Sequence, residues 1–397
     1  MRTLQDKCAI ESTELITNFI IDHYYILLAY LLISIMIVVR DYRLKKENSL
    51  IGQDIVFLVW NSHGIRAETI SRYLGACLYF LYTTPARHAS LFVKTLNILR
   101  KDKPKLIICQ SPPMTCSLVA LVYRYVFAKG VRCEIFIDAH GHAFYKPWSR
   151  LKFLSKFIMK KARLVIVSNA EEQNSIIHDY DIKPVVLEDP IPLFDSTIYP
   201  EKANRKKWQN SDSENDNDKI FKVAVINPFR YAPLREILNA ASELTGVTKF
   251  YITGDYSKTN KSLLATKTDN AIVTGFLPLQ EYAALLRHVD AIIDLTTDQA
   301  TMLAGAYEAV ALEKPLITTY NSPLRRYFNR GTLHVNNSTS EIKEAITLAR
   351  ERKTQLQREM HELKLERQNE WEQKFSSLVR DYMESSLKAD RFPKTNR

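Results

Sequence analysis

The chain has 397 residues, of which 46% are hydrophobic, and a formal net charge of +11 at neutral pH. This length exceeds one ordinary domain and predicts two, each with its own core. Neither a G-x-G-x-x-G nor a G-x-x-x-x-G-K-[ST] motif occurs, which argues against the dinucleotide-binding and P-loop classes. The five cysteines form no C-x-x-C pair and no cluster with zinc spacing, so we expect reduced thiols and no metal site.

An apolar run near the N-terminus predicts a transmembrane helix. It extends from Phe19 to Val39, across Asp22 and His23, and has the ~20 residues needed to span a bilayer. A basic cluster at 40–46 follows, so the positive-inside rule predicts a single-pass protein whose domains lie in the cytoplasm. A buried helix is the alternative.

The excess of positive charge lies in the first half of the chain. Between Arg40 and Arg163 there are 22 lysine and arginine residues against 7 acidic residues. Such a surface suits nucleic acid or an anionic membrane, and the neighbouring apolar run favours lipid. We therefore expect membrane contact and no nucleic acid.

Strands and helices alternate after the basic cluster, which predicts a parallel, doubly wound α/β sheet. Its strands are the apolar runs at 54–60, 106–109, 133–137 and 164–168. Polar residues follow these strands at the edge where open α/β sheets bind ligands. They include the loop around Gly64 and the pair Asp138 and His140.

Asp138 and His140 are the acid/base candidates of this domain. Histidine titrates near neutrality, and a neighbouring carboxylate can hold one tautomer. The alternative is that both are polar loop residues that satisfy backbone groups.

Residues 146–161 mix lysines and arginine with aromatic and aliphatic residues at helical spacing. This pattern predicts an amphipathic helix on an anionic lipid surface, with a solvated helix packed on the sheet as the alternative.

A polar segment at 196–219 predicts a linker, after which the α/β alternation starts again. We predict strands at 221–226, 249–253, 271–273 and 290–295 in a second domain. From 341 onward, charged residues alternate with leucines in a pattern typical of long surface helices. The predicted boundaries are 1–46 for the tail and anchor, 51–195, 196–219, 220–340 and 341–397.

The most informative stretch is 296–319. It predicts the end of a strand, a polar turn, a helix from about Thr301 to Leu312, and a return strand. A helix N-terminus offers unpaired N–H groups and a positive dipole end, which suit a diphosphate. Glu308, seven residues after Thr301, is expected on the same face, where it could accept hydrogen bonds from sugar hydroxyls. The alternative is a capped helix with an ordinary glutamate.

These features resemble the GT-B glycosyltransferases, particularly the family 4 type and the chitobiosyldiphosphodolichol beta-mannosyltransferases. The resemblance covers roughly Asp54 to Tyr382 and is most specific in the second domain. The stretches that carry it are Asn227-Pro228-Phe229, Tyr251 to Asp255 with Gly254, Thr274 to Pro278, Thr296 to Pro315, Gln110 to Pro113 and Asp138-Ala139-His140.

The resemblance implies two Rossmann-like domains facing a cleft, with C-terminal helices around Trp371 bracing them. It implies a nucleotide-sugar donor in the second domain, with its ribose on Glu308 and its diphosphate facing Thr301 and Met302. The loop of Gly275, Phe276 and Leu277 then matches the edge that binds the base.

Further roles follow from the same resemblance. Gly64 matches a glycine loop of the first domain, and His140 matches a histidine near the transferred sugar. Arg230 stands near the place of a basic residue that neutralises the donor phosphates, and Gly254 belongs to a shared motif. Many family 4 enzymes carry an acid eight positions before the ribose glutamate, where this chain has Ala300.

The sequence therefore predicts a metal-independent hexosyltransferase without a cofactor, active in polysaccharide or glycolipid biosynthesis. Its donor would be a UDP- or GDP-sugar, and its acceptor a polyprenyl-phosphate-linked molecule at the membrane. A catalytically inactive GT-B-like scaffold, or a partner subunit of another transferase, is the alternative.

Overall fold

The computed structural model describes residues 54–60, 65–82, 88–128, 133–139, 152–192, 194, 220–226, 229, 232–258, 264–299 and 301–391. The predicted transmembrane helix at 19–39 lies outside these ranges. Within them, no helix is both long and apolar enough to cross a bilayer.

The first sheet is six-stranded and parallel, in the order β2-β1-β3-β4-β5-β6. Its strands are nearly continuous apolar runs, as expected for strands covered on both faces. They are β1 (Ile55–Trp60), β2 (Cys77–Leu81), β3 (Leu106–Ser111), β4 (Glu134–Ala139), β5 (Leu164–Val167) and β6 (Val185–Val186).

Helices connect these strands: α1 (Ile65–Leu74), α2 (His88–Asp102), α3 (Met114–Val122), α4 (Lys152–Lys161) and α5 (Ala170–Tyr180). A π-helical turn, Tyr123–Phe127, extends α3. Crossovers between parallel strands are right-handed, so α1, which leads from β1 to β2, lies on the opposite face of the sheet from α4, which leads from β4 to β5.

The second sheet is also six-stranded and parallel, in the order β12-β11-β10-β7-β8-β9. Its strands are β7 (Phe221–Ile226), β8 (Thr248–Thr253), β9 (Ala271–Gly275), β10 (Ala291–Asp294), β11 (Leu316–Thr319) and β12 (Thr332–Val335). Because β7 pairs with both β8 and β10, the strand order reverses between β7 and β10. Ligands of open α/β sheets bind at such a switch point.

Side chains of β7 alternate between two cores of the second sheet. Val223 and Val225 pack on one face, and Ala224 packs on the other. The covering helices are α6 (Leu234–Glu243), α7 (Leu279–His288), α8 (Ala304–Ala311), α9 (Ser322–Tyr327), α10 (Thr339–Glu351) and α11 (Lys353–Arg391).

The chain divides into two compact units, residues 1–67 with 71–165 and residues 68–70 with 166–397. The second unit thus begins before the linker that the sequence suggests. One reason is that α11 contacts the segment after β6, where Trp371 donates from Nε1 to the carbonyl of Glu188 at 2.9 Å.

Candidate functional site

The site builds on the carboxyl end of β10, beside the switch point of the second sheet. Asp294 is the last residue of β10, and it is buried. Thr318 of β11 donates from its hydroxyl to the carbonyl of Asp294 at 2.8 Å. The strand end is therefore fixed from its neighbour.

The loop after β10 is held in the same way. The backbone N–H of Thr296 donates to the hydroxyl of Thr319 at 2.9 Å, and Asn337 donates to the carbonyl of Thr296 at 2.8 Å. The Thr296 hydroxyl accepts from the N–H of Asp298 at 3.0 Å, which closes a local turn. The hydroxyls of this loop thus stabilise its path to α8.

Helix α8 begins at Ala304, three residues later than the sequence suggests. Leu303 is the N-cap in an extended conformation, and its side chain makes no capping hydrogen bond. Thr301 and Met302 therefore precede the helix. The prediction that Thr301 lies in the helix on the face of Glu308 is wrong.

Asp294 caps α8 from outside the helix. Its carboxylate accepts a hydrogen bond from the backbone N–H of Gly305, the second residue of the helix, and shares the N–H of Ala306, the third, with the carbonyl of Leu303 at 3.2 Å. A Cβ on Gly305 would lie 2.6 Å from Asp294 Oδ2 and 2.9 Å from Cγ1 of Ile226 in β7. Glycine is required here because the helix approaches the switch point so closely.

Glu308 is buried, one turn into α8, and accepts a short hydrogen bond from the Tyr282 hydroxyl of α7. Burial raises the pKa of Glu308 to about 7, against the lowering effect of Tyr282. Burial and then the Glu308 carboxylate raise the pKa of Asp294 well above its usual range, while the two helix N–H groups oppose this rise. Both carboxyl groups therefore hold their protons to higher pH than exposed carboxyl groups do.

Burial and the charge of Glu308 also raise the pKa of Tyr282, so its hydroxyl remains a donor. The result is a three-residue acid cluster of Asp294, Glu308 and Tyr282 beneath the switch point.

The neighbouring strand ends supply glycines and aromatic rings. Gly254 follows β8, and its N–H donates to the carbonyl of Gly275 at 3.1 Å. Gly275 ends β9 with φ +72°, and a Cβ there would lie 3.2 Å from the ring of Tyr256. Phe276 is 85% exposed, whereas Leu277 is half-buried. This edge presents an exposed aromatic face beside a glycine turn.

In the first sheet, Asp138 lies near the end of β4 and forms a buried ion pair with Arg66 of α1. Nη2 and Nε of Arg66 donate to Asp138 Oδ1 at 2.8 and 2.9 Å, and Nε also lies 3.0 Å from Oδ2. A carboxylate engaged by a guanidinium in this way is held in a fixed orientation by charge-assisted hydrogen bonds. The acid/base role of Asp138 stays a prediction.

His140, Gly64, Arg230 and Ala300 lie outside the described residues. Of the predicted site residues that the structure describes, it brings Glu308, Thr301 and Met302 to one loop and helix. It brings Gly254, Gly275, Phe276 and Leu277 to the ends of two adjacent strands. Among the described residues, no group of three or more possible metal ligands is found.

Met302 also lines a cavity of ≈ 280 Å³ within the second unit. Its walls contain both basic and acidic side chains. The basic residues are Arg326, Arg367 and Lys374, and the acidic residues are Glu171, Glu188 and Glu370. Neither Glu308 nor Gly275 lines it, so we do not assign this cavity to the predicted donor.

Sequence reasoning missed Asp294, Gly305 and Tyr282 as members of the site. Asp294 carried a signal, because an acid that ends an otherwise apolar run is positioned at the ligand edge of a parallel sheet. The sequence contains no signal for Tyr282, because its contact with Glu308 joins two helices that are separated by a strand.

The two parallel six-stranded α/β sheets match those of solved structures with the GT-B fold. Solved structures with the same fold align over most of the chain at low sequence identity. No protein-family model matches the sequence, and no curated protein matches it significantly.

One similar structure is HepE from Anabaena in complex with UDP-glucose, with a TM-score of 0.59, 12% identity, and 83% of this chain and 100% of that one covered. A glycosyltransferase from Rickettsia africae has a TM-score of 0.60, 14% identity and coverage of 84% and 98%. UDP-GlcNAc 2-epimerase from Neisseria meningitidis, bound to UDP-GlcNAc, has a TM-score of 0.56, 13% identity and coverage of 83% and 100%.

Proposed function

We propose that the chain is a membrane-anchored glycosyltransferase. It transfers a sugar from a UDP- or GDP-linked donor to a lipid-linked or polysaccharide-precursor acceptor at the cytoplasmic face. The observation that carries this proposal is the buried Glu308 on the helix that begins at the switch point of a GT-B sheet. Similar structures with UDP-glucose and UDP-GlcNAc support a nucleotide sugar as the donor.

In this proposal the ribose hydroxyls donate to Glu308. Tyr282 already occupies Oε2 of that carboxylate and orients it. The base stacks at the β9 edge, where Phe276 is exposed beside Gly275. The aromatic face and the carboxylate would then hold the two ends of a nucleoside.

The diphosphate lies at the start of α8 in this proposal, with Arg230 as a charge partner. Asp294 already accepts from the N–H of Gly305, and the N–H of Ala306 also donates to the carbonyl of Leu303, so the backbone of 301–304 faces the phosphates instead. The raised pKa of Asp294 favours its neutral form, which reduces repulsion of the diphosphate. Stabilising the leaving diphosphate in this way requires no metal ion. His140 remains the proposed base if the acceptor hydroxyl needs one.

Nucleotide release tests the proposal. Full-length protein in detergent is incubated with a panel of UDP- and GDP-sugars and polyprenyl-phosphate or polyprenyl-diphosphate acceptors. Turnover with one pair is expected, and Glu308→Gln should lower kcat/KM by roughly 10- to 100-fold, the equivalent of one hydrogen bond to a charged group. Glu344→Gln, an exposed glutamate on α10, is the matched control and should retain full activity.

A second candidate is a GT-B-like scaffold that binds a nucleotide sugar without turnover. It is favoured by Asp294, which accepts from the N–H of Gly305, a group that a donor phosphate would use. Calorimetric binding of UDP or GDP without release across the whole panel would support this candidate. Turnover that Glu308→Gln leaves intact would contradict the assigned donor site.

A further inference from the structure

The outer face of α4 exposes two large aromatic side chains. Phe153 is 86% exposed and Phe157 is 48% exposed. Four residues apart, they lie on one side of the helix, while Ser155, Ile158 and Met159 are buried on the other. Exposed phenylalanines that share one helix face are costly in water and indicate a surface that becomes covered.

The same helix carries only positive charge. Its sequence, KFLSKFIMKK, contains four lysines and no acid. Lys152, Lys160 and Lys161 are exposed and Lys156 is half-buried. The Lys161 ammonium lies 6.0 Å from the centre of the Phe157 ring. Cations and aromatic rings are therefore interleaved on one surface.

The π-helical turn after α3 extends this surface. Arg124 donates from Nη1 to the carbonyl of Lys161 at 3.5 Å, so the turn lies against the end of α4. The next two residues, Tyr125 and Val126, are 52% and 40% exposed. The acid near this junction, Glu134, lies 3.9 Å from Arg124 and is itself largely buried. We call α4 with residues 124–126 the basic aromatic face.

We propose that the basic aromatic face docks on the anionic leaflet of a membrane. Phe153 and Phe157 enter the boundary between head groups and acyl chains, as Tyr125 does beside them. The lysines extend along the apolar surface and place their ammonium groups among lipid phosphates.

Two features favour a membrane over other partners. The Phe153 side chain is 86% exposed on the outer surface of a helix, a position from which a ring can insert into a bilayer. Single-stranded nucleic acid is instead bound in basic grooves. The four lysines are distributed around the phenylalanines and do not converge on one point, as they would to bind a single anion. Such a distribution suits the many phosphate groups of an anionic lipid surface. This inference concerns the first unit and does not rest on sugar transfer.

Tryptophan substitution of Phe153 tests the proposal in the full-length chain. Phe153→Trp protein is mixed with or reconstituted in vesicles that contain brominated acyl chains, which quench only tryptophans in contact with them. The emission of the unsubstituted chain is subtracted. We expect the added emission to fall by roughly half in vesicles with about 30% phosphatidylglycerol, and less in pure phosphatidylcholine or high salt.

Tyr73→Trp is the matched control. Tyr73 is exposed at the end of α1, on the opposite face of the first sheet, so its tryptophan should remain unquenched in every vesicle. If the Phe153→Trp protein is quenched no more strongly than the Tyr73→Trp protein, the proposal is overturned.

A charge-reversal variant separates the contribution of the lysine charges to membrane binding from that of the apolar side chains. It combines Lys156→Glu and Lys161→Glu with Phe153→Trp. These side chains lie on the surface, so the thermal unfolding temperature should stay unchanged while quenching in anionic vesicles is lost. Equal quenching with and without the charge reversal, or equal quenching in neutral and anionic vesicles, would contradict recognition of anionic lipid.

Discussion

The carboxylate of Asp294 and the backbone of Gly305 are in such close contact that no Cβ fits between them. Asp294 Oδ2 lies 2.6 Å from the position that a Cβ of residue 305 would occupy. The contact replaces the N-cap side chain that α8 lacks. A residue of the sheet thus determines where the helix begins, and the start of α8 is coupled to the strand end at the switch point.

Gly305→Ala should lower the free energy of unfolding by about 1–3 kcal/mol, because the methyl group overlaps Asp294 and Ile226. Asp294→Ala should cost about 1–2 kcal/mol through loss of the cap. The double variant should lose less than the sum of the two, since removing the carboxylate makes room for the methyl group. Denaturant unfolding of the four proteins measures this, and strictly additive losses would contradict the contact.

Asp294→Asn should bind UDP or GDP more tightly than the unsubstituted chain. The amide oxygen can still accept an N–H from the helix, but the ionisable group that disfavours an anion is gone. A several-fold decrease in Kd by calorimetry is expected, with an effect that grows from acidic to alkaline pH as more Asp294 is ionised. An unchanged Kd across this pH range would show that no phosphate approaches α8.

The pKa of Glu308 predicts how stability depends on pH. Folding raises this pKa from 4.5 to about 7, so the folded protein binds the proton more tightly than the unfolded chain. Its contribution is complete below pH 4.5 and is lost as pH rises through about 7, a loss of roughly 3 kcal/mol.

Glu308→Gln removes this dependence. Its melting temperature should therefore rise relative to the unsubstituted protein between pH 5 and pH 8, because the variant does not have to ionise a buried group. Glu344→Gln should run parallel to the unsubstituted protein. A difference between Glu308→Gln and the unsubstituted chain that stays constant with pH would refute the assigned shift.

The buried pair of Arg66 and Asp138 predicts a structural phenotype for either residue. Arg66→Met should destabilise the protein by about 3–5 kcal/mol, since it removes one member of a buried ion pair. Arg66→Met/Asp138→Leu removes both charges and should recover much of this loss. Denaturant unfolding measures both, and a double variant no more stable than Arg66→Met would argue against a structural ion pair.

Much of the fold is predictable from the sequence because the buried strands are apolar runs bounded by polar turns. The predicted runs at 54–60 and 221–226 correspond to β1 and β7 within one residue at each end. Strand β2, Cys77–Leu81, was not predicted. Its sequence, CLYFL, is a short apolar run, and periodicity alone does not distinguish such a run from a buried helical segment.

The site is less predictable because its decisive contacts are non-local. Spacing alone places the start of the helix at about Thr301. The structure delays that start to Ala304, since the cap comes from Asp294, ten residues earlier in the chain. The pKa of Glu308 likewise depends on burial and on the hydrogen bond from Tyr282, which belongs to another helix. Local sequence patterns carry no information about either partner.

Helix α11 is joined to Glu188, in the segment after β6, by a buried hydrogen bond and by an exposed ion pair. The contributions of these two interactions to stability can be compared. Trp371 is buried, donates to the carbonyl of Glu188 and stacks on Phe375 at 4.7 Å between ring centres. Lys374, one turn later, is exposed and bonds both oxygens of the Glu188 carboxylate at 2.8 Å.

Trp371→Phe keeps an aromatic ring for stacking but removes the buried hydrogen bond to the carbonyl of Glu188, so it should cost about 1–3 kcal/mol of unfolding free energy. Lys374→Met should cost at most about 1 kcal/mol, because solvent screens an exposed pair. High salt should reduce the loss caused by Lys374→Met and leave the loss caused by Trp371→Phe unchanged. Denaturant titrations at low and high salt measure both, and a larger loss for Lys374→Met than for Trp371→Phe would mean that charge, not the buried hydrogen bond, fixes α11 to this segment.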